Sequence, residues 1–301
     1  MREKRGKGPG NAARRRSWKS ELSQHTRPSL THTHTHLVSS PPSHSYYTVP
    51  FHCYPEGNLA WDAALEVEAS ARAVHAPVMH PGPPATAPLS PDGDADLRAA
   101  ISAASRALMV GAGVDPDALG GVAVDVGCST GLSSRELARA FPGLGAIAGL
   151  DLSPHMLAVA SHLASARPLP RAVPLTLTHA AFEDSGLVSA SVGLVSIVLV
   201  AHECPRSVTA AFLAEAWRVL RPGGVVVVAD MDPASPAFQA LAANPFAYAG
   251  FKSSEPHLLE WVGLGFAGVE AAARGMGFVG VGSAAATPRH AAMVAVKPKE
   301  A

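Results

Sequence analysis

From Gly121 onward, short runs of β-branched and apolar residues alternate with stretches whose apolar positions recur at helical spacing. The runs predict strands over Val122–Val126, Ala146–Leu150, Leu175–Thr178, Leu194–Val200 and Val225–Ala229. Helices are predicted between them, over Ser133–Phe141 and Met156–Ala166, and on the face that carries Leu213, Trp217 and Leu220. Arg221-Pro222-Gly223-Gly224 reads as a stop and turn before Val225. Two closing strands follow at Phe278–Ser283 and Ala291–Val296. Strands alternating with helices imply a mostly parallel sheet with right-handed crossovers. The expected fold is a Rossmann-like α/β sandwich, seven-stranded, with helices on both faces.

Upstream the pattern changes. Asn58–Ala76 has helical composition, with Trp61, Ala64, Leu65 and Glu68 spaced along one face. A Pro/Gly-rich linker, His80–Gly93, leads to a second helical stretch over Asp96–Val110. Residues 46–110 are read as an N-terminal helical cap, and 111–301 as the main domain. Residues 1–45 show almost no periodic apolar positions and are expected to be disordered.

Composition narrows the function. The 301 residues hold 24 Lys/Arg and 24 Asp/Glu, for a net charge of zero, and are 48% hydrophobic but only 16% charged. That balance argues against a general nucleic-acid binder. No apolar run reaches the roughly 20 residues of a membrane helix. Cys53, Cys128 and Cys204 lie far apart, which argues against a disulfide framework or a cysteine zinc site. The first 50 residues carry nine Lys/Arg and two Asp/Glu. This basic, Ser-rich leader fits a transit peptide to the chloroplast or another organelle, or else a nonfunctional extension of a cytoplasmic protein. His32, His34 and His36 within it read as low-complexity sequence rather than a metal site.

The chemistry gathers where the first strand ends, in Asp125-Val126-Gly127-Cys128-Ser129-Thr130-Gly131. Glycines 127 and 131 allow a sharp turn and close ligand approach. About 20 residues on, Asp151 sits at the tip of the second strand, placed to accept hydrogen bonds from ribose hydroxyls. A nicotinamide site would carry three glycines as G-x-G-x-x-G. The spacing here is G-x-x-x-G, and Asp125 would repel a pyrophosphate but suit an ammonium and a sulfonium. That favours S-adenosylmethionine over NAD.

These pieces resemble the class I S-adenosylmethionine-dependent methyltransferases of the UbiE/type 11 kind. The resemblance rests on Val124–Gly131, on Gly149–Leu157 and on Leu220–Gly224, in order, and covers roughly Gly121 to Val296. Phe51–Leu59 and His202-Glu203-Cys204-Pro205 are similar to a plant, algal and cyanobacterial branch of that family. The resemblance implies that Asp125, Gly127, Ser129 and Gly131 line the methionine part of the cofactor. It implies further that Asp151 binds the ribose, that Leu152 packs on the adenine, and that Phe182 and Glu183 border it. Two positions depart from the pattern: Ala181, where a polar residue is common, and Gly193, where an acid often opens the fourth strand.

Methyl transfer from a sulfonium is an in-line displacement, and it needs a base only if the acceptor loses a proton. His202 and Glu203, just after the fourth strand, are the candidates, with bracing of their loop as the structural alternative. Cys128 reads as a small loop residue. His52, Tyr54, Glu56 and Trp61 are expected over an acceptor pocket, and the aromatic residues of Ala237–Leu264 would give it apolar walls. Asp230 and Asp232 follow the fifth strand at the same rim. The expected activity is methyl transfer to a small, lipophilic metabolite, with no nucleic-acid partner. A non-catalytic S-adenosylmethionine-binding protein and a nicotinamide oxidoreductase stand as the alternatives.

Overall fold

The central strands form because their residues are β-branched and apolar on both faces, the pattern of a parallel sheet covered by helices on each side. The computed structural model describes residues 44–81 and 87–299. Residues 1–43 of the basic leader, with its histidine tract, and part of the Pro-rich linker lie outside the described residues. The described chain forms α1 (Trp61–His75), α2 (Gly93–Gly111), β1 (Gly121–Val126), α3 (Leu132–Ala140) and β2 (Leu144–Asp151). It continues through α4 (Pro154–Ala166), β3 (Leu175–His179), β4 (Val192–Val198), α5 (Arg206–Val219) and β5 (Leu220–Met231). Helices α6 (Pro236–Ala242), α7 (Pro245–Ser254) and α8 (Leu258–Gly275) precede β6 (Val279–Ala285) and β7 (His290–Val296).

The seven strands run in the order β3-β2-β1-β4-β5-β7-β6. The first five named are parallel, whereas β7 pairs antiparallel with both β5 and β6. Connection direction reverses between β1 and β4, which is the switch point where such sheets open a crevice. One core face is built on Val124, Val195, Val226 and Met293 with Leu213, Trp261 and Val269 from the helices. The other gathers Ala123, Leu194, Val225 and Val294 under Met109, Leu137 and Phe141.

Three local features differ from the sequence expectation. Residues 221–224 do not precede β5 but bulge out of it: Val192 pairs with Leu220 and Leu194 with Val225, and Gly223 bends the chain at φ 77°. Leu220, expected on a helical face, is the first residue of β5. Helix α2, grouped with the cap in the sequence reading, packs across β6 and β7. Gly193 has a structural reason as well. It lies at the amino end of β4, and a Cβ there would meet the Gly120 carbonyl oxygen at 2.3 Å. An acid cannot fit, and the position is far from the carboxyl ends of the strands. No described helix is long and apolar enough to cross a membrane.

Candidate active site

Between β1 and α3 the chain turns through three left-handed residues: Gly127 at φ 61°, Ser129 at φ 50° and Gly131 at φ 92°. Ser129 tolerates this because its backbone N–H donates to Asp151 Oδ2 at 2.8 Å, tying the loop to the tip of β2. Asp151 Oδ1 accepts from the Ser153 N–H at 2.7 Å. Ser153 in turn caps α4, with its Oγ accepting from the Met156 N–H. The two sequence motifs are thus one unit, held by a single buried carboxylate. Burial raises the pKa of Asp151, and the Ser153 and Ser129 amides pull against that rise.

Asp125 is fully buried. Its Oδ2 accepts from Ser134 Oγ at 2.6 Å, while Oδ1 has no hydrogen-bond partner. Burial lifts its carboxyl to about 7 against the pull of Ser134 and Arg98, and nearby Asp151 adds to the rise. A cation is the group that would relieve this atom. A Cβ placed on Gly131 would meet nothing within 4 Å, so the loop leaves room beside it. An unpartnered buried carboxylate, an acid at the tip of β2 and an open glycine backbone together fit a nucleoside bearing an ammonium and a sulfonium. They do not fit a pyrophosphate.

The other expected cofactor residues divide. Glu183 stands in the turn Phe182–Asp184 after β3, and its Oε1 accepts from Tyr46 Oη at 2.8 Å. Leu152 is half-buried, with its carbonyl 2.9 Å from His179 Nε2. Phe182 is buried against Phe212, with ring centroids 5.7 Å apart, so its ring packs into the core. Ala181 is buried as well.

Beside this loop, where Val200 packs against Gly127, the turn Ala201–Glu203 follows β4 and carries a buried ionic cluster. His202 Nδ1 lies 2.8 Å from Asp230 Oδ1, off the line of a straight hydrogen bond, and its Nε2 lies 3.9 Å from Glu255 Oε2. The His202 backbone N–H also donates to Asp230 Oδ2 at 3.2 Å. His52 Nε2 reaches Glu255 Oε1 at 3.1 Å and Glu203 Oε1 at 3.8 Å. Asn58 Nδ2 donates to Glu203 Oε2 at 3.3 Å. Burial opposes a charged His202 ring, but Asp230, Glu203 and Glu255 outweigh it and push the ring up to about 10. Glu203 is pushed up to about 7 by its own burial, against the pull of His52 and His202. At neutral pH the imidazole is therefore an imidazolium brace, and Glu203 is the group able to take a proton.

Of the residues expected over the pocket, His52 joins this cluster. Tyr54 instead donates to Glu66 at 2.7 Å, Glu56 is exposed, and Trp61 stacks edge-on against His155 of α4. Asp232 closes an Asx turn with the Ala234 N–H. Cys128 is buried and its thiol is held protonated by burial. Sequence reasoning missed Tyr46, Tyr47, Asn58 and Glu255. Asp230 it placed only at the rim. Their partners lie far away along the chain, and no local spacing marks them.

Residues 124–228 match the family described as methyltransferase domain. Malonyl-[acyl-carrier protein] O-methyltransferase of Dechloromonas aromatica (strain RCB) is 34% identical over 112 residues, which cover 37% of each chain. The chain therefore spans little more than a third of the curated relative it matches. Among solved structures, a putative S-adenosyl-L-methionine-dependent methyltransferase of Methanococcus maripaludis aligns with a TM-score of 0.49 at 13% identity, covering 81% of this chain and 95% of that one. Haemonchus contortus phosphoethanolamine N-methyltransferase 2, in complex with S-adenosyl-L-methionine, aligns with a TM-score of 0.46 at 17% identity, covering 66% of this chain and 57% of that one.

Proposed function

We propose that this chain, whose residues 124–228 are a class I S-adenosylmethionine-dependent methyltransferase domain with S-adenosylmethionine as its cofactor, methylates a small, lipophilic metabolite. The observation that carries the reading is the Asp151 carboxylate. It joins the glycine loop to the β2 tip beside the unpartnered oxygen of Asp125. Asp151 would hold the ribose, and Asp125 with the backbone of 127–131 would face the methionine end. Bound there, the cofactor supplies an electrophilic methyl group on a good leaving group.

The chain's own residues then position an acceptor and handle its proton. Glu203 sits at the carboxyl end of β4 with a pKa of about 7, so near neutral pH it exists in part as a carboxylate able to accept a proton. Asn58 donates to one of its oxygens, and His52 stands 3.8 Å from the other. His202 holds the turn against Asp230 and stays charged. An acceptor that must lose a proton suits this arrangement, and the relative's O-methyltransferase activity supports oxygen as the accepting atom. A lipophilic acceptor is supported by α7. That helix begins Pro-Phe-Ala-Tyr-Ala-Gly-Phe, buries none of its residues and runs directly into Glu255.

The test has two stages. S-Adenosylhomocysteine binding to the purified chain is measured by calorimetry. The chain is then incubated with methyl-labelled S-adenosylmethionine and a small-molecule extract, and label is followed into apolar products. Glu203→Gln should lower incorporation about 100-fold or more while leaving S-adenosylhomocysteine affinity in place. A folded chain that binds neither sulfur nucleotide would sink the reading.

A further inference from the structure

The segment ahead of α1 reaches the same acids that the cofactor needs. The turn Ser45–Tyr47 sets Tyr46 Oη on Glu183 Oε1 at 2.8 Å and Tyr47 Oη on Asp151 Oδ1 at 3.4 Å. His44 Nδ1 lies 3.3 Å from that same Glu183 oxygen. Neither tyrosine can ionise near neutral pH. Burial raises both phenols, and the neighbouring negative groups add to the rise, so each acts as a neutral donor. Downstream the segment is pinned twice. Ser153 Oγ donates to the Asn58 carbonyl at 2.7 Å, and the His52 N–H donates to the Ser254 carbonyl at 3.0 Å beside the His52–Glu255 ion pair.

A carboxylate offers about four acceptor positions. Asp151 gives one to the Ser153 N–H and one to the Tyr47 hydroxyl, both on Oδ1, and one to the Ser129 N–H on Oδ2. A ribose that sets one hydroxyl on each oxygen meets a free position on Oδ2 and a filled one on Oδ1. Tyr47 therefore stands where a ligand hydroxyl has to go. The backbone donors on Asp151 belong to the fold and stay. The tyrosine comes from a three-residue turn that is half-buried rather than enclosed, so it is the partner that can leave.

We propose that Ser45–Tyr47 is a self-ligand of the cofactor site: Tyr47 and Tyr46 occupy Asp151 and Glu183 in the free protein, and the nucleoside binds by displacing them while Asn58 and His52 keep the strap attached. The proposal rests on the cofactor reading above. Its consequence is that cofactor affinity is held below what the site alone would give, and that cofactor loading releases residues 44–48.

The test is S-adenosylhomocysteine affinity of the full chain by calorimetry, for wild type, Tyr47→Phe and the double variant Y46F/Y47F, with hydrogen exchange of the amides of 44–50. Phenylalanine keeps each ring and removes only the competing hydroxyl. The expected result is binding roughly ten-fold tighter for Tyr47→Phe, about 1.4 kcal/mol, and tighter still for the double variant. Exchange over 44–50 should speed up when ligand is added. Affinity that is unchanged or weaker in Tyr47→Phe would overturn the proposal, as would ligand-induced protection of 44–50, because the tyrosines would then cover the bound cofactor. Asp151→Asn separates the two readings. If wild type binds and Asp151→Asn does not, the cofactor site stands whatever the tyrosines do. If neither wild type nor the double variant binds, the cofactor reading itself fails, and the proposal with it.

Discussion

His202 can be tested as a brace without knowing the acceptor, by replacing it with glutamine. The substitution removes the cation that, among the described residues, reaches both Asp230, 0% exposed, and Glu255, 6% exposed. Breaking a buried pair by deleting one partner typically costs about 3–5 kcal/mol, because the remaining charge stays buried. Here the lower end applies. Asp230 keeps backbone N–H bonds from residues 202 and 231, and Glu255 keeps His52. A loss of about 3 kcal/mol should lower Tm by roughly 6–12 °C for a domain of this size. The sign with pH is fixed by the raised pKa. The stabilisation is fully present below about 6.5, the ordinary histidine value, and is lost as pH rises through about 10. Urea unfolding of wild type and His202→Gln at pH 7 and again above pH 10 measures both. A gap under about 1 kcal/mol at pH 7, or a gap of equal size at both pH values, would refute the brace.

Other outcomes follow from the same geometry. Asp151→Asn removes the charge that both loops bind, and S-adenosylhomocysteine affinity should fall about 100-fold, or 2.7 kcal/mol, by calorimetry. A cationic ligand beside Asp125, whose carboxyl sits at about 7, favours its charged form, so binding at pH 7 should release protons. Calorimetry in buffers of different ionisation enthalpy reads that release, and Asp125→Asn should abolish it. Glu203→Gln should lower methyl transfer about 10²–10⁴-fold with cofactor affinity held within two-fold. Burial alone would raise Asp94, but His75 and Arg98 outweigh it and hold its carboxyl at about 2 against an ordinary 3.8. That difference is worth about 2 kcal/mol of stability, present above pH 4 and lost as pH falls toward 2. Acid unfolding of Asp94→Asn, compared with wild type, checks it.

The strands, the glycine loop and Asp151 were legible in the sequence because their causes are local. Val122–Val126 is β-branched and apolar, Gly127 and Gly131 punctuate it, and Ser153-Pro154 announces the next helix. The join between loop and acid could also be expected, since one βαβ unit spans only 22 residues from Ser129 to Asp151. Phe182 shows how far such local reasoning reaches. A motif position puts a residue near the site, but which way its ring turns depends on Phe212 across the core. Arg221-Pro222-Gly223-Gly224 reads locally as a break in regularity, and it folds as a bulge within β5 because β4 continues alongside it.

The sequence by itself therefore determined the alternating strands and helices of the sheet and the chemistry of its glycine loop. Each follows from side-chain periodicity and from backbone freedom at a few named residues. Only the tertiary structure decided which acids are charged and what covers them. Tyr46 meets Glu183 across 137 residues, and Tyr47 meets Asp151 across 104. Asp230 and Glu255 turn His202 from a base into a fixed cation. Protonation and occupancy depend on burial and on through-space charge, and neither leaves a period in the chain.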